Sequence, residues 1–187
     1  STTLEIDENK LLSNWGVPKD KKLILMPGRL TKWKGQEVFI EALNLVNKEL
    51  GYEAFYAVIL GNDQGRNVYS KKIKRLAEQY RLTTQLKFIE HFNNMPLAYK
   101  VSDLVISASI EPEAFGRVAI EAQSMEKPII ASNIGGSNET VVNDITGFLF
   151  ESGNSRALSK KIIEVLNFDE SRLKSMGIEG RKNIIKK

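Results

Sequence analysis

Apolar and polar positions along the chain fall into a repeating block pattern: a short apolar run, a loop rich in small or charged residues, then a longer stretch with apolar residues at helical spacing. The first run, Leu23 to Met26, lies between lysines and Pro27-Gly28, and predicts a strand buried on both faces. Phe39, Ala42, Leu43, Val46 and Leu50 then recur at helical spacing and complete a strand-helix unit. The same rhythm predicts strand 55–60 with helix 68–80, strand 86–89 with a helix near 95–100, and strand 104–107 with helix 117–124. It continues with strand 129–132 and a short helix 138–142, then strand 148–150 followed by helices at about 155–167 and 170–185. Ahead of all these, Asp7 is the expected N-cap of a short helix 8–15 that Gly16 and Pro18 stop. Strands alternating with helices on short connections predict an α/β fold, a doubly wound parallel sheet of about six strands with helices on both faces.

At 187 residues, 42% hydrophobic and 27% charged, the chain suits one domain with a substantial core. The absence of cysteine excludes a disulfide framework and a thiolate metal site, and the single histidine, His91, argues against a multi-histidine one. A net charge of +4 suits an anionic ligand such as a nucleotide diphosphate and lacks the basic stripe of a nucleic-acid binder. No apolar run reaches bilayer length and no leader is evident, so a cytoplasmic location is expected. Arg181, Lys182, Lys186 and Lys187 form a basic end that fits either a solvated helix terminus or an anionic inner membrane face. The phosphate-binding pattern G-x-x-x-x-G-K-[ST], the dinucleotide pattern G-x-G-x-x-G and a metal-holding Asp-x-Asp are all missing.

Candidate chemistry collects in loops that follow strand ends, the edge at which open α/β sheets bind ligands. In the stretch Glu111 to Glu121, EPEAFGRVAIE, a strand runs into a Phe115-Gly116 corner and out into a helix. Glu113 precedes that helix and Glu121 lies about one turn inside it, with Glu111 as a second acid close to Glu113. In the loop 28–35, Gly28 eases the turn while Arg29 and Lys34 precede a helix whose free N–H groups favour an anion. Such a pair suits a diphosphate; a solvated basic loop is the plainer alternative. In 133–139, NIGGSNE, paired glycines permit close backbone approach, Ser137 or Asn138 is the expected cap of the next helix, and Glu139 reads as structural.

Glu113 and Glu121 are separated by seven residues around the Phe-Gly corner, with GRLTKWKG upstream and EAQSMEKPIIAS and GGSNETVVNDITGFLF downstream. In that order these segments resemble the E-x7-E family 4 retaining glycosyltransferases of the GT-B fold, group 1 type, from about Lys21 to the end of the chain. The resemblance implies a Rossmann-like, C-terminal, donor-binding domain at 21–187, preceded by an interdomain linker and leading helix at 1–20. It implies transfer of a sugar, with retention, from a nucleotide-diphosphate-sugar to an acceptor, and an N-terminal Rossmann-like acceptor domain that this sequence does not contain. By itself such a piece is expected to bind donor weakly and transfer little.

By the same resemblance, Arg29 and Lys34 hold the donor diphosphate and stabilise the charge that grows on it, with Glu113 beside the donor sugar as the third catalytic candidate. Glu121 offers two oxygens to the ribose 2′ and 3′ hydroxyls, and backbone N–H groups from Ala114, Phe115, Gly116 and Arg117 cap the phosphate. Gly28 leaves room for the ligand, and the loop after Gly61 either closes over the diphosphate or is a flexible surface loop, while His91 either borders the base or points away from it. Trp33 covers the pocket or packs on the partner domain, whereas Trp15 reads as packing. No cofactor and no metal are expected, with Arg29 and Lys34 in the metal's place and a UDP- or GDP-sugar as substrate. One departure stands out: where family members carry a glycine shortly after the third strand, this chain continues Phe88-Ile89 with Glu90-His91, which leaves the base open. A non-catalytic nucleotide-binding module shares every binding residue, and a GT-B epimerase or phosphorylase shares the fold.

Overall fold

The computed structural model describes residues 2–65 and 67–186. The six apolar runs become β1 (Lys22–Pro27), β2 (Phe55–Leu60), β3 (Leu86–Ile89), β4 (Leu104–Ser107), β5 (Ile129–Ser132) and β6 (Gly147–Phe150). They form one sheet in the order β3-β2-β1-β4-β5-β6, with every neighbouring pair parallel. The helices are α1 (Thr2–Trp15), α2 (Gln36–Leu50), α3 (Asn67–Gln79), α4 (Met95–Val101), α5 (Arg117–Ser124), α6 (Ser137–Thr140), α7 (Ser155–Leu166) and α8 (Glu170–Ile185), with a 3-10 turn at Lys32–Lys34. This is the doubly wound, Rossmann-like architecture that the block pattern predicts.

Side-chain alternation divides the core between the two faces of the sheet. Ile24 and Met26 of β1 face a layer built with Phe39 and Leu43 of α2, Ile73 of α3 and Ile162 of α7. Leu23 and Leu25 face the opposite layer, with Leu11 and Trp15 of α1, Tyr99 of α4, and Val118 and Ala122 of α5. The chain leaves β1 outward through β2 to β3, then returns to β4 on the other side of β1. The strand order therefore reverses between β1 and β4, and the loops leaving their carboxyl ends part there to form a crevice.

Two local expectations are corrected. α1 begins at Thr2, so Asp7 lies within the helix and does not cap it: no proline or glycine precedes it to stop the helix from extending. The same helix is anchored by Leu11 and Trp15, and the Trp15 ring meets Phe92 edge to face at 5.2 Å. At α6, the N-cap is Gly136 and no side chain caps the helix; Asn138 instead donates its amide to Asn133 O at 3.0 Å. That turn is set from outside, because the Gly136 N–H donates to Glu113 O at 2.8 Å. Arg66 in the loop after β2 and Lys187 at the basic end lie outside the described residues. Among the described residues, no helix is long and apolar enough to cross a membrane.

Candidate functional site

The loop after β1 is held from both sides. Gly28 continues the ladder through its N–H to Leu60 O at 2.8 Å, and the Lys34 stem crosses above it: a Cβ on Gly28 would lie 3.5 Å from Lys34 Cδ. Gln36, buried at the start of α2, donates to Arg29 O at 2.8 Å and accepts from the Tyr69 hydroxyl at 3.2 Å. Arg29 is exposed, with Nη1 3.5 Å from Gln64 Oε1. Gly35 adopts φ 75° and presses on the loop after β4, where a Cβ would stand 1.8 Å from Ala108 O. The Ile110 N–H donates to Trp33 O at 2.8 Å, so the loops of β1 and β4 are joined by backbone as well as by side chains.

That junction brings the cationic loop to the acidic one. Lys34 Nζ donates to Glu113 Oε1 at 2.8 Å, in a pair whose side chains are only 13% and 17% exposed. The same oxygen accepts from the buried Ser109 hydroxyl. Trp33 supports both cations, its ring centre 4.5 Å from Lys34 Nζ and 5.8 Å from the Arg29 guanidinium carbon. The NIGGSNE turn lies behind Glu113: a Cβ on Gly135 would stand 2.7 Å from Glu113 N, so this turn buttresses the acidic loop by backbone contact.

Past Glu113, Gly116 turns the chain into α5 with φ 54°, and the first N–H groups of that helix have no acceptor within it. One turn on, Glu121 Oε2 accepts from the Tyr99 hydroxyl of α4 at 2.6 Å. Burial, reinforced by the Glu121 carboxylate, holds the Tyr99 hydroxyl far above its usual pKa, so it remains a donor. The Tyr99 hydroxyl thus takes one of the acceptor positions of the Glu121 carboxylate, because α4 and α5 pack on the same sheet face.

A cleft of about 310 Å³ opens between these elements, and Gly28, Arg29, Lys34, Glu113, Arg117 and Glu121 all line it, together with Trp33, Met95 and Tyr99. Ala114, Phe115 and Gly116 line an adjoining cleft of about 470 Å³ that shares Trp33, Glu113 and Arg117 with the first. Gly61 stands behind the wall, where a Cβ would lie 2.0 Å from Gly28 O. His91 is exposed after β3 and lines neither cleft, since the chain turns there to seat Phe92 on Trp15. Glu111 is likewise exposed and outside both. A larger groove of about 570 Å³ between α2 and α3 is bridged by the Lys72–Glu37 ion pair and contains none of these residues.

Sequence reasoning missed Gln36, Tyr99 and Ser109. Tyr99 sits among the apolar residues of α4 and reads as core, which it is by 98% of its surface; only its hydroxyl reaches the site. Gln36 and Ser109 adjoin the motifs, but nothing in the sequence says toward which atom they turn.

A model of the family described as glycosyl transferases group 1 matches residues 7–183. CapM of Staphylococcus aureus, a capsular polysaccharide biosynthesis glycosyltransferase, is 32% identical over 184 residues, 96% of this chain and 46% of CapM. A glycosyltransferase from Rickettsia africae superposes with a TM-score of 0.89 at 36% identity, over 96% of this chain and 47% of that one. HepE of Anabaena, solved in complex with UDP and glucose, superposes with a TM-score of 0.87 at 28% identity, over 96% and 47%. The chain thus spans about half the length of the relatives it matches. With the family pattern running through both crevice loops and almost the whole chain, the protein belongs to the group 1 glycosyl transferases.

Proposed function

We propose that this chain is the C-terminal, donor-binding half of a retaining glycosyltransferase of the GT-B fold, and that the crevice between β1 and β4 holds the nucleotide diphosphate of its sugar donor. The observation that carries this reading is convergence: Arg29 and Lys34 from one loop, and Glu113 and Glu121 from the next, line a single cleft. Arg29, Lys34 and the open N–H groups of α5 meet the diphosphate. Glu121 anchors the ribose, and Glu113, held by Lys34 and Ser109, borders the sugar. As the bond from the anomeric carbon to the phosphate oxygen breaks, negative charge collects on the departing diphosphate, where fixed cations help most. The acceptor oxygen bonds to the anomeric carbon on the same face, and the diphosphate oxygen takes its proton. No protein nucleophile takes part. The acceptor is read by the other half of the enzyme. The UDP in the HepE complex favours a uridine donor here.

A thermal-shift panel of UDP, GDP and ADP tests this reading. At about 100 times its dissociation constant the cognate diphosphate adds about 2.7 kcal/mol. That corresponds to a rise in melting temperature of about 5–10 °C for a domain of this size. UDP is expected to give the largest rise. Since Arg29 and Lys34 neutralise the diphosphate, EDTA should leave the shift unchanged; a shift that vanished with chelator and returned with magnesium would contradict metal-independent binding. If no diphosphate raises the melting temperature, the reading fails. A non-catalytic module would show the same shifts and no sugar transfer in a protein carrying both halves.

A further inference from the structure

We propose that Tyr99 is a positioning residue for the ribose end of the nucleotide: its buried hydroxyl grips one oxygen of Glu121 and aims the other into the cleft. The inference rests on the nucleotide reading above and concerns how that site tells ribose from deoxyribose. Tyr99 is 2% exposed, whereas Glu121 is exposed on α5, and the two meet at 2.6 Å where both line the cleft wall. Behind them lies a largely apolar groove of about 350 Å³ flanked by Met95, Pro96, Ile120, Ser124 and Met125.

A glutamate on a helix surface samples several rotamers, and holding it in one has an entropic cost. The phenol meets that cost before ligand arrives. Its ring is fixed by the core, and a carboxylate can only accept, so the hydrogen bond has one sense. Glu121 Oε1, and the second lone pair of Oε2, then remain for the ribose hydroxyls, which donate to them. Recognition of the sugar edge thus passes through a residue that acts by holding another in place.

The test is calorimetric titration of the protein with UDP and with 2′,3′-dideoxyuridine diphosphate, repeated for Tyr99→Phe, Glu121→Ala and the double variant. The wild-type chain is expected to prefer UDP by about tenfold or more. Tyr99→Phe should weaken UDP by about fivefold to tenfold and leave the dideoxy compound within about twofold. It should keep its melting temperature, because the exposed Glu121 is solvated by water once the phenol is gone. Adding Tyr99→Phe to Glu121→Ala should change nothing further. Tyr99→Met, which refills the space flexibly without a hydroxyl, gives the same readout if the phenylalanine variant does not fold.

An unchanged preference in Tyr99→Phe, or equal weakening of both compounds, would overturn the proposal and leave the nucleotide reading intact. A wild-type chain with no preference for UDP over its dideoxy form would remove the ribose role of Glu121 and this inference with it. If UDP does not bind, the comparison is made with whichever of GDP and ADP does, using its dideoxy form. Binding of none of the three would end the site reading and this inference together.

Discussion

Replacing Lys34 with methionine should weaken nucleotide diphosphate binding by about tenfold or more, and lower turnover about 100- to 1,000-fold in a protein that carries both halves. Two effects combine. On the proposed reading, the substitution deletes a cation aimed at the leaving group, whose attraction grows as the glycosidic bond breaks. It also releases Glu113, whose Oε1 keeps only the Ser109 hydroxyl. Methionine preserves the stem that crosses Gly28 beside Trp33, so the loss reports the charge and not a collapsed wall. Glu113→Gln separates the effects: it removes the partner's charge while Lys34 stays, so diphosphate affinity should hold or rise while turnover falls. Titration with UDP and steady-state transfer rates give both numbers. A Lys34→Met protein with unaltered affinity and turnover would rule out a role for this lysine at the phosphate.

Gly35→Ala should destabilise the fold by about 2–5 kcal/mol, combining left-handed backbone strain with overpacking. At the midpoint that corresponds to a melting temperature lower by about 4–20 °C. Gly35 has φ 75°, and its missing side chain is what lets the start of α2 lie against Ala108 O, 1.8 Å from where a Cβ would be. Gly153 is the internal control: its φ is 76°, but nothing lies within 4 Å of its Cβ position. Gly153→Ala should therefore show only the conformational part, about 1 kcal/mol. The difference between the two variants measures the contact between the β1 and β4 loops. Urea unfolding of both decides; equal losses would mean that the loops do not press together. Because the same contact seats Trp33 and Lys34 beside Glu113, any Gly35→Ala protein that folds should also bind diphosphate less well.

The block pattern determined the elements nearly residue by residue. β2 and α5 run as predicted, because a strand buried on both faces must be apolar throughout and a helix must repeat its apolar residues every three or four positions. Errors fell at element ends, as at Asp7 and α6, where a cap competes with a helix that can extend or with a hydrogen bond from a distant loop. The acidic and basic loops were also legible, since Arg29, Lys34, Glu113 and Glu121 stand at strand ends in a recognisable order.

Strand order was not legible. Six parallel strands can be wound in several ways, and only the packed sheet sets β4 beside β1 and brings Lys34 to Glu113 across 79 positions of sequence. The tertiary structure alone also turned the Tyr99 hydroxyl onto Glu121, removed His91 from the cleft and made Gly135 a support for Glu113. The physical reason is one of range. Periodicity and turn chemistry act between residues a few places apart and are written in the local sequence, whereas a hydrogen bond between two helices depends on how both settle on the same sheet.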